Sequence, residues 1–390
     1  MAAGHPGAMR ALLNSARFRG LVYQGVVVAL VVALGWYLVH NTLTNLAARG
    51  IATGLDFLGR EAGFDIGESP IPYSPADSYA HALVVGLLNT LEIAVLGIAV
   101  ATVLGLAIGI ARLSGNWLVA RLATLYVEGV RNVPLLLQLF VWYGIVTALP
   151  GPRQALHPLP GIFLSNRGLK VPLPESHPVY PWLAAALAVG LGLAWLLRRW
   201  AQARHARTGR PFPWASVGTG IALGLPALLF LAAGAPLAWD VPTLRGFNFS
   251  GGGTLSPEFA ALLAGLSIYT AAFIAEIVRS GILAVPPGQT EAALSLGLSR
   301  GKTLRLIVLP QALRVIVPPL CSQYLNLTKN SSLAVAIGYP DLVSVANTTI
   351  NQTGHAVEGV GVVMVVFLVI SLALSLLMNW YNAKVALVTR

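Results

Sequence analysis

The sequence is poor in charge and in cysteine. Only 10% of its 390 residues are Asp, Glu, Lys or Arg, so the chain has little polar surface to offer to water. The single cysteine, Cys321, excludes an internal disulfide. The seven histidines are scattered, and no group of Cys and His residues has the spacing of metal ligands. The sequence therefore predicts neither a disulfide-stabilised domain nor a metal centre.

Long apolar runs, by contrast, are abundant. Hydrophobic residues make up 56% of the chain, and the mean hydropathy is +0.73. A helix of about 20 apolar residues crosses the roughly 30 Å hydrocarbon core of a bilayer. We therefore expect an all-α polytopic membrane protein with about eight transmembrane helices. The candidate spans are 21–40, 89–111, 133–149, 181–197, 215–239, 258–279, 312–338 and 358–380.

The first apolar run resembles a secretory signal peptide, because three arginines precede it. The run Leu21–His40 is longer than the roughly 7–15 apolar residues of an ordinary signal peptide. We therefore predict that it stays in the membrane as an anchor.

The basic residues predict the orientation of the chain. The net charge of +11 would favour a nucleic-acid partner in a soluble protein, but here the basic residues fall mostly in short loops between spans. With the N-terminus inside and the spans alternating, 18 of the 25 Lys and Arg residues fall on the inner side. Cytoplasmic loops carry this excess in membrane proteins, so both termini are expected in the cytoplasm and no nucleic acid is expected as a partner.

Two regions resist a simple hydropathy assignment. The span 312–338 contains Pro318-Pro319 and then a run of polar residues. This span must still cross the membrane, because the basic loop before it and the basic C-terminus are both expected on the cytoplasmic side. Non-helical backbone at membrane depth occurs only inside protein or along a watery cavity, so this span is either a path-lining helix or a re-entrant element. The proline-rich stretch 151–180 predicts an irregular external loop.

The segment EAALSLGLSRGKTLRLIVLP, residues 291–310, contains a near match to a phosphate-binding loop. Three residues separate Gly297 from Gly301, whereas the G-x-x-x-x-G-K-[ST] pattern needs four. That loop must also follow a strand and open a helix, and the sequence predicts a helix before this segment. We therefore do not expect the chain to bind ATP there.

The same segment matches a different pattern, E-A-A-x3-G-x9-I-x-L-P, at Glu291-Ala292-Ala293, Gly297, Ile307 and Leu309-Pro310. It resembles the EAA-loop signature of bacterial ABC-importer permeases. The resemblance implies a short cytoplasmic coupling helix that docks on a separate ATPase subunit. The simpler alternative is an amphipathic loop helix that only caps the helix bundle. The residues that the resemblance assigns to coupling are Gln289, Glu291, Ala292, Ala293, Gly297, Leu309 and Pro310.

Local chemistry predicts two short helices in this segment. Gln289 or Thr290 can cap the first helix, which places Glu291 in its first turn, where the helix dipole favours an acid. Gly297 can end that helix because it adopts positive φ without steric cost. Ser299 can cap the second helix.

The resemblance extends over roughly residues 82–380. The stretches 112–122, 126–144, 269–289 and 325–342 are similar to polar amino-acid permeases, most of all to the Q-type membrane subunit of general L-amino-acid importers. This implies a type I ABC-importer permease core with one extra N-terminal helix and a two-helix insertion. The expected divisions are 1–81 (inner N-terminus, extra helix and periplasmic loop), 82–380 (permease domain, with the insertion at about 150–257 and the coupling loop at about 283–311) and 381–390 (cytoplasmic tail).

The resemblance also implies a function and a set of partners. The chain would be a multi-pass subunit of the bacterial inner membrane that moves amino acids, over a broad L-amino-acid range, into the cytoplasm. It would do no chemistry and hold no cofactor, since ATP and Mg²⁺ would bind a pair of ATPase subunits. A periplasmic amino-acid-binding protein, a second homologous permease subunit in a heterodimer and membrane lipid complete the partners. The alternative is a stand-alone secondary transporter or channel for small polar solutes, but the inverted repeats expected of such a transporter are not visible.

Polar residues inside predicted spans are the candidates for the substrate path, because burying them in lipid is costly. Glu128 with Arg131, and Glu276 with Arg279, are three residues apart and are either structural ion pairs or groups near the substrate. Gln323, Asn326 and Asn330 form a polar stripe on one helix face, which either makes hydrogen bonds to a neighbouring helix or lines the substrate path. Lys329 is expected to point away from this stripe and either to pair with Glu128 or Glu276 or to meet a substrate carboxylate. The full candidate set is Glu128, Arg131, Gln138, Glu276, Gln323, Asn326, Lys329 and Asn330.

Overall fold

The computed structural model describes residues 16–48, 50 and 53–385. Arg10 and Arg390, which contribute to the predicted orientation, and the second half of the predicted tail 381–390 lie outside these residues. Within the described residues the fold is mainly helical. Its α-helices are α1 (Ala16–Ala48), α2 (Tyr79–Ala111), α3 (Trp117–Arg131), α4 (Leu135–Thr147), α5 (Val179–Thr208), α6 (Trp214–Ala232), α7 (Pro257–Leu283), α8 (Pro287–Ser295), α9 (Arg300–Thr303), α10 (Leu309–Asn330), α11 (Leu342–Thr353) and α12 (Ala356–Val385).

The predicted membrane helices are present. Seven helical segments of the described chain are long and apolar enough to cross a bilayer, and the bent pair α3–α4 makes up to eight. The span predicted at 133–149 is the exception, because α4 has only 13 residues and reaches about 20 Å. It forms a possible crossing only together with α3, to which it is joined at 106°. The span predicted at 215–239 is too long, since α6 ends at Ala232.

The predicted irregular loop at 151–180 is wrong, because it contains short antiparallel strands. Those within the loop are β1 (Leu156–Leu159), β2 (Ile162–Ser165), β3 (Gly168–Val171) and β4 (Leu173–Pro174), and four more follow α6: β5 (Trp239–Asp240), β6 (Thr243–Arg245), β7 (Asn248–Ser250) and β8 (Gly253–Leu255). They form a sheet of order β1-β2-β3-β8 and two pairs, β4-β5 and β6-β7. The prolines are compatible with the sheet because Pro158 lies on the edge strand β1, where a missing N–H breaks no inner ladder.

The chain divides into two compact units. One contains the described residues up to Glu128 together with those from Thr270 onward, and the other is Gly129–Tyr269. The first unit carries α1, α2 and α8–α12, with most of α3 and the C-terminal half of α7. The second carries α4, the α5–α6 hairpin and all eight strands.

Close contact between α2 and α7 organises the core of the first unit. A Cβ atom at Gly105 would lie 2.5 Å from Cγ2 of Ile274, and one at Gly109 would lie 2.8 Å from Cβ of Val278. The two glycines are four residues apart on one face of α2, and small residues at this spacing let membrane helices approach closely. Ile316 and Leu327 of α10 are buried in the same cluster, so α2, α7 and α10 form one packed group.

A second cluster lies where the segment 53–78 packs over the beginning of α2 and over α11. Phe57, Tyr79 and Leu342 are buried there, and the Phe57 ring stacks on His355 with centroids 4.6 Å apart. The backbone N–H of Gly54 donates to Oε1 of Glu358 over 2.8 Å. The segment is therefore fixed on the helices by both apolar and polar contacts.

Asp341 caps α11 and is fully buried. Its Oδ1 accepts a hydrogen bond from the N–H of Ser344 over 2.8 Å, while its Oδ2 has no hydrogen-bond partner in the part of the chain that the structure describes. Burial raises the pKa of this carboxyl to about 7, because a charge is poorly solvated away from water.

The α5–α6 hairpin of the second unit closes through small residues. A Cβ atom at Gly190 would lie 2.8 Å from the Cα of Ala222, and one at Gly218 would lie 3.2 Å from the Cβ of Ala194. Each helix thus presents a Gly and an Ala four residues apart to the other, the small-residue spacing that brings membrane helices together.

Candidate functional site

The coupling segment, residues 283–311, contains two short helices joined by a turn. Helix α8 ends at Ser295, α9 begins at Arg300, and Gly297 between them has φ +78°. The N–H of Leu298 donates to the carbonyl of Ala293 over 3.2 Å, and the N–H of Gly297 donates to that of Leu294 over 2.9 Å. This pair of hydrogen bonds is a Schellman motif, which requires a left-handed residue and so favours glycine. The predicted turn at Gly297 is confirmed.

The predicted start of the first helix is wrong. Helix α8 begins at Pro287, so Gln289 and Thr290 lie inside it instead of capping it, and its first turn contains no acid. Glu291 therefore lies in the second turn. Proline at the first helical position is favoured because its fixed φ suits a helix and its missing N–H is not needed there. Ser299 does occupy the cap position of α9, but its side chain makes no capping hydrogen bond.

Helix α8 buries one small residue and exposes the rest of its motif. Ala293 is only 4% exposed, and α8 packs on α9 and on the turn that follows it. Gln289, Glu291 and Ala292 are exposed. Leu296, just after the helix, is 83% exposed, although water around so much apolar surface is unfavourable. Helix α8 therefore presents a small surface with a single charge, Glu291, and the leucine that follows the helix protrudes from it.

The second half of the motif forms a π turn, Leu304–Val308, that runs directly into α10. The N–H of Leu309 donates to the carbonyl of Leu304, five residues earlier. Pro310 has no N–H to continue this ladder. The side-chain amide of Gln311 donates to the carbonyl of Ile307 over 3.0 Å, so it provides a partner for the backbone beside the proline. The Leu309-Pro310 pair thus marks the change from π to α geometry.

Three charged residues connect α2 with α7 near the coupling segment. Glu276 accepts hydrogen bonds from Arg279 over 2.6 and 3.2 Å, and it also forms an ion pair with Arg112. The Arg112 side chain donates to Oγ1 of Thr124 on α3 over 3.4 Å. The sequence predicted the Glu276–Arg279 spacing but not Arg112, which is 164 residues from Glu276. This cluster fixes the end of α7 from which the coupling segment begins.

Comparison with known proteins identifies the family. Residues 97–386 match the family model described as "Binding-protein-dependent transport system inner membrane component". This chain belongs to that family.

Several curated relatives match this permease along almost its whole length. The general L-amino acid transport system permease protein AapQ of Rhizobium johnstonii is 48% identical over 98% of this chain and 96% of the relative. The putative amino-acid ABC transporter permease protein YhdX of Escherichia coli is 53% identical over 95% of each. The glutamate/glutamine/aspartate/asparagine permease protein BztB of Rhodobacter capsulatus is 42% identical over 97% of this chain and 96% of the relative.

Two solved structures also match the permease. A crystal structure of an amino acid ABC transporter with histidines has a TM-score of 0.47 and 21% identity, and covers 78% of this chain and 95% of that one. The inward-facing MetNI methionine ABC transporter has a TM-score of 0.46 and 15% identity, and covers 79% and 98%.

Helix α10 of the permease has one buried and one exposed face. Leu320 and Leu327 are buried, and Tyr324 OH lies 3.0 Å from Oγ1 of Thr102 on α2. The opposite face exposes Ser322, Asn326 and Lys329, which follow one another at four and three residues and so share a helix face. A membrane helix that turns polar side chains outward is unusual, because these groups are costly in lipid.

The exposed face of α10 differs from the predicted stripe. Asn326 is on it, but Gln323 and Asn330 are half-buried at its sides. The prediction that Lys329 points away from the stripe is wrong for Asn326, because residues three apart share a helix face and both of these are exposed. The predicted pairing of Lys329 with Glu128 or Glu276 does not form, since no carboxylate of the described chain lies within 4.0 Å of its ammonium group.

The remaining candidates lie around the bend between α3 and α4. Glu128 and Arg131 are exposed on α3. The amide nitrogen of Gln138 donates to the carbonyls of Val130 and Val133 over 2.8 and 2.9 Å. Carbonyls at the end of a helix have no partner within it, so Gln138 stabilises the bend itself.

Proposed function

We propose that this permease carries L-amino acids across the bacterial inner membrane as a subunit of an ATP-driven importer. The observation that carries this proposal is the 48% identity to a general L-amino acid permease over 98% of the chain. The breadth of the substrate range rests on the names of the relatives. The secondary-transporter alternative is set aside because relatives that match nearly the whole chain are transport-system and ABC transporter permease proteins.

The chain itself does no chemistry in this proposal. ATP and Mg²⁺ bind a pair of ATPase subunits, and α8 docks into a groove on one of them. The protruding Leu296 provides apolar contact area for such a groove, and Glu291 provides the single charge of the helix. The Schellman turn at Gly297 fixes the direction of the chain after α8, and the Arg112–Glu276–Arg279 cluster fixes α7 before it. Movement of the ATPase pair can therefore reach the membrane helices through a rigid segment.

The charge pattern supports the orientation that this coupling requires. Basic residues are concentrated on the side of the coupling segment when the spans alternate, and this excess supports a cytoplasmic location for both termini and the segment. A periplasmic binding protein then delivers the substrate from the other side. Transport follows an alternating-access cycle, in which ATP and substrate each bias the balance of two conformations.

The exposed face of α10 is our proposed substrate path. Ser322, Asn326 and Lys329 form a polar surface on a membrane helix, and such surfaces are stable where they line a watery cavity. A second, homologous permease subunit closes this cavity in a heterodimer. The ammonium group of Lys329 has the charge to attract a substrate carboxylate, and Asn326 can hydrogen-bond to it. Glu128, Arg131, Gln138 and Glu276 remain secondary candidates.

Uptake of radiolabelled amino acids, measured in cells with the co-expressed importer subunits, tests the proposal. We expect Asn326→Leu to change the KM or the order of preference among amino acids, with normal co-purification of the ATPase. We expect Glu291→Lys to reduce both co-purification and uptake. Leu372→Ala, at an exposed position of α12 outside the proposed path, is the control and should leave uptake unchanged. Normal uptake in both test variants would contradict the proposal.

A further inference from the structure

The tip of the α5–α6 hairpin, residues 195–214, concentrates positive charge without any acid. Between Glu175 and Asp240 the chain has no Asp or Glu. The arginines of this interval are all exposed, and no carboxylate in the described part of the chain lies within 4.0 Å of them. They are Arg198, Arg199, Arg204, Arg207 and Arg210.

Helix lengths place this tip at a membrane surface. Helix α6 has 19 residues and spans about 28 Å, close to the thickness of a hydrocarbon core. Helix α5 has 30 residues and extends about 15 Å further. The Arg198 guanidinium lies over the ring of Trp214, the first residue of α6, at 5.0 Å. Arg198 therefore lies at the level where α6 begins, and the later residues of α5 lie among the lipid headgroups.

Tryptophan rings orient the arginines. The Arg199 guanidinium carbon lies over the ring of Trp195 at 3.9 Å from its centroid, and that of Arg204 lies over the ring of Trp200 at 5.3 Å. A cation over an aromatic ring is attracted by its π electrons. A guanidinium carries five N–H donors in a planar fork, a geometry that suits the oxygens of a phosphate.

Apolar side chains continue from the arginines along the hairpin. Leu191, Leu196 and Trp195 on α5 are exposed, and so are Leu223 and Leu228 on α6. A ligand that covers the whole surface must be anionic at one end and apolar at the other. Nucleotides and acidic peptides satisfy only the first condition, whereas an anionic phospholipid satisfies both.

We propose that the hairpin tip is a binding site for the headgroup of an anionic phospholipid, with the acyl chains along the exposed leucines of α5 and α6. Clusters of basic residues beside a membrane helix attract anionic lipids, and tryptophans favour the same level of the bilayer. The site needs only that the hairpin spans a membrane. It is independent of the proposed transport of amino acids.

Lipid retention by the full-length protein in mild detergent tests the site, with native mass spectrometry as the readout. Phosphatidylglycerol is the anionic probe, and phosphatidylcholine is the zwitterionic comparison with the same acyl chains. We expect preferential retention of phosphatidylglycerol. The triple variant Arg198→Gln, Arg199→Gln and Arg204→Gln should lower that retention at least about fivefold, since each arginine near an anionic surface adds to lipid attraction. Inorganic phosphate at equal ionic strength should not displace the lipid.

Two further variants distinguish a specific lipid site from a general attraction between positive charge and anionic lipid. Trp195→Leu with Trp200→Leu keeps every charge and should still weaken phosphatidylglycerol retention, because the stacked geometry is lost. Arg153 stacks on Phe247 at 4.0 Å outside the hairpin tip, so Arg153→Gln removes a similar contact and should leave retention unchanged.

Several results would overturn the proposal. Unchanged phosphatidylglycerol retention in the triple variant would do so, as would an equal loss in Arg153→Gln. Loss of the ATPase subunit from the triple variant, with lipid retention unchanged, would show that the tip contacts protein instead. None of these experiments measures transport, so a result that overturns the lipid site leaves the proposed function of the permease unaffected.

Discussion

The coupling segment and the hairpin tip both carry clusters of basic residues, yet their surroundings differ. In the coupling segment, Arg300 and Lys302 lie on a four-residue helix beside a protruding leucine, Leu296. In the hairpin tip, the guanidinium groups of Arg199 and Arg204 lie over tryptophan rings. Positive charge alone selects a side of the membrane. The neighbouring side chains then favour a protein groove in the first region and a lipid headgroup in the second.

The largest effect is expected from the turn of the coupling segment. Gly297→Val places a β-branched side chain at φ +78°, where the left-handed conformation costs such a residue roughly 1–2 kcal/mol or more. We expect the Schellman turn to break and amino-acid uptake to fall about tenfold, since 1.4 kcal/mol corresponds to a factor of ten. Gly288→Ala is the control, because Gly288 lies inside α8 with nothing within 4 Å of an added Cβ. Wild-type uptake by Gly297→Val would contradict this assignment.

The protruding leucine should come next. Leu296→Asp replaces apolar docking surface with a charge, and co-purification of the ATPase subunit should fall severalfold, because burying an unpaired charge is costly. Leu244→Asp changes an exposed leucine of strand β6 and should leave co-purification unchanged. Equal losses of co-purification in both variants would show that the protein is generally destabilised. Leu296 would then have no special role in docking the ATPase subunit.

A smaller effect is expected from the charge cluster at the end of α7. Glu276→Gln leaves Arg112 and Arg279 without their carboxylate. We expect the free energy of unfolding to fall by about 1–2 kcal/mol, which is more than for a fully exposed ion pair and less than for a buried one. Glu175→Gln, at an exposed position of the second unit, is the control. Thermal unfolding monitored by fluorescence measures both variants, and equal unfolding temperatures would show that the cluster does not stabilise this end of α7.

The smallest effect is a pH dependence at Asp341. Its pKa of about 7 in the folded protein is above the usual value of about 3.9, so the folded state binds the proton more tightly than the unfolded state. This contribution to stability is complete below about pH 4 and is lost as the pH rises through 7. Asp341→Asn keeps an N-cap acceptor without the charge, and should raise the unfolding temperature by about 2–4 °C at pH 8.

Comparison of Asp341→Asn with wild type at pH 5 and pH 8 checks this sign. The stabilisation should be larger at pH 8 than at pH 5. The exposed Asp56 provides the control Asp56→Asn, which should show no such difference. Greater stabilisation at pH 5 would contradict the buried, protonated state of Asp341.

The sequence predicted the membrane helices and the turn at Gly297 because both follow from local rules. Apolar length determines a span, and a left-handed position favours glycine. The same rules placed the start of α8 too late, because Pro286-Pro287 begins the helix before the expected caps at Gln289 and Thr290. Prolines also led to the wrong expectation of an irregular loop, since on an edge strand such as β1 they do not prevent strand pairing.

The contacts between distant residues could not be predicted. Arg112 meets Glu276 only because α2 and α7 pack through Gly105 and Gly109, and neither residue indicates the other in the sequence. The exposed position of Lys329 depends on α10 remaining helical beyond Pro318-Pro319, which local rules disfavour. A signal was nevertheless available, because Ser322, Asn326 and Lys329 follow a four-three spacing along the chain.

Crosslinking from the coupling segment and from the hairpin tip tests directly which partner each region contacts. In a Cys321→Ser background, Leu296→Cys and Arg204→Cys each introduce a single cysteine, and a thiol-reactive photo-crosslinker is attached to it in the assembled importer. We expect position 296 to crosslink to the ATPase subunit, and position 204 to crosslink to phosphatidylglycerol and not to the ATPase. An ATPase crosslink from position 204 with none from position 296 would contradict this expectation.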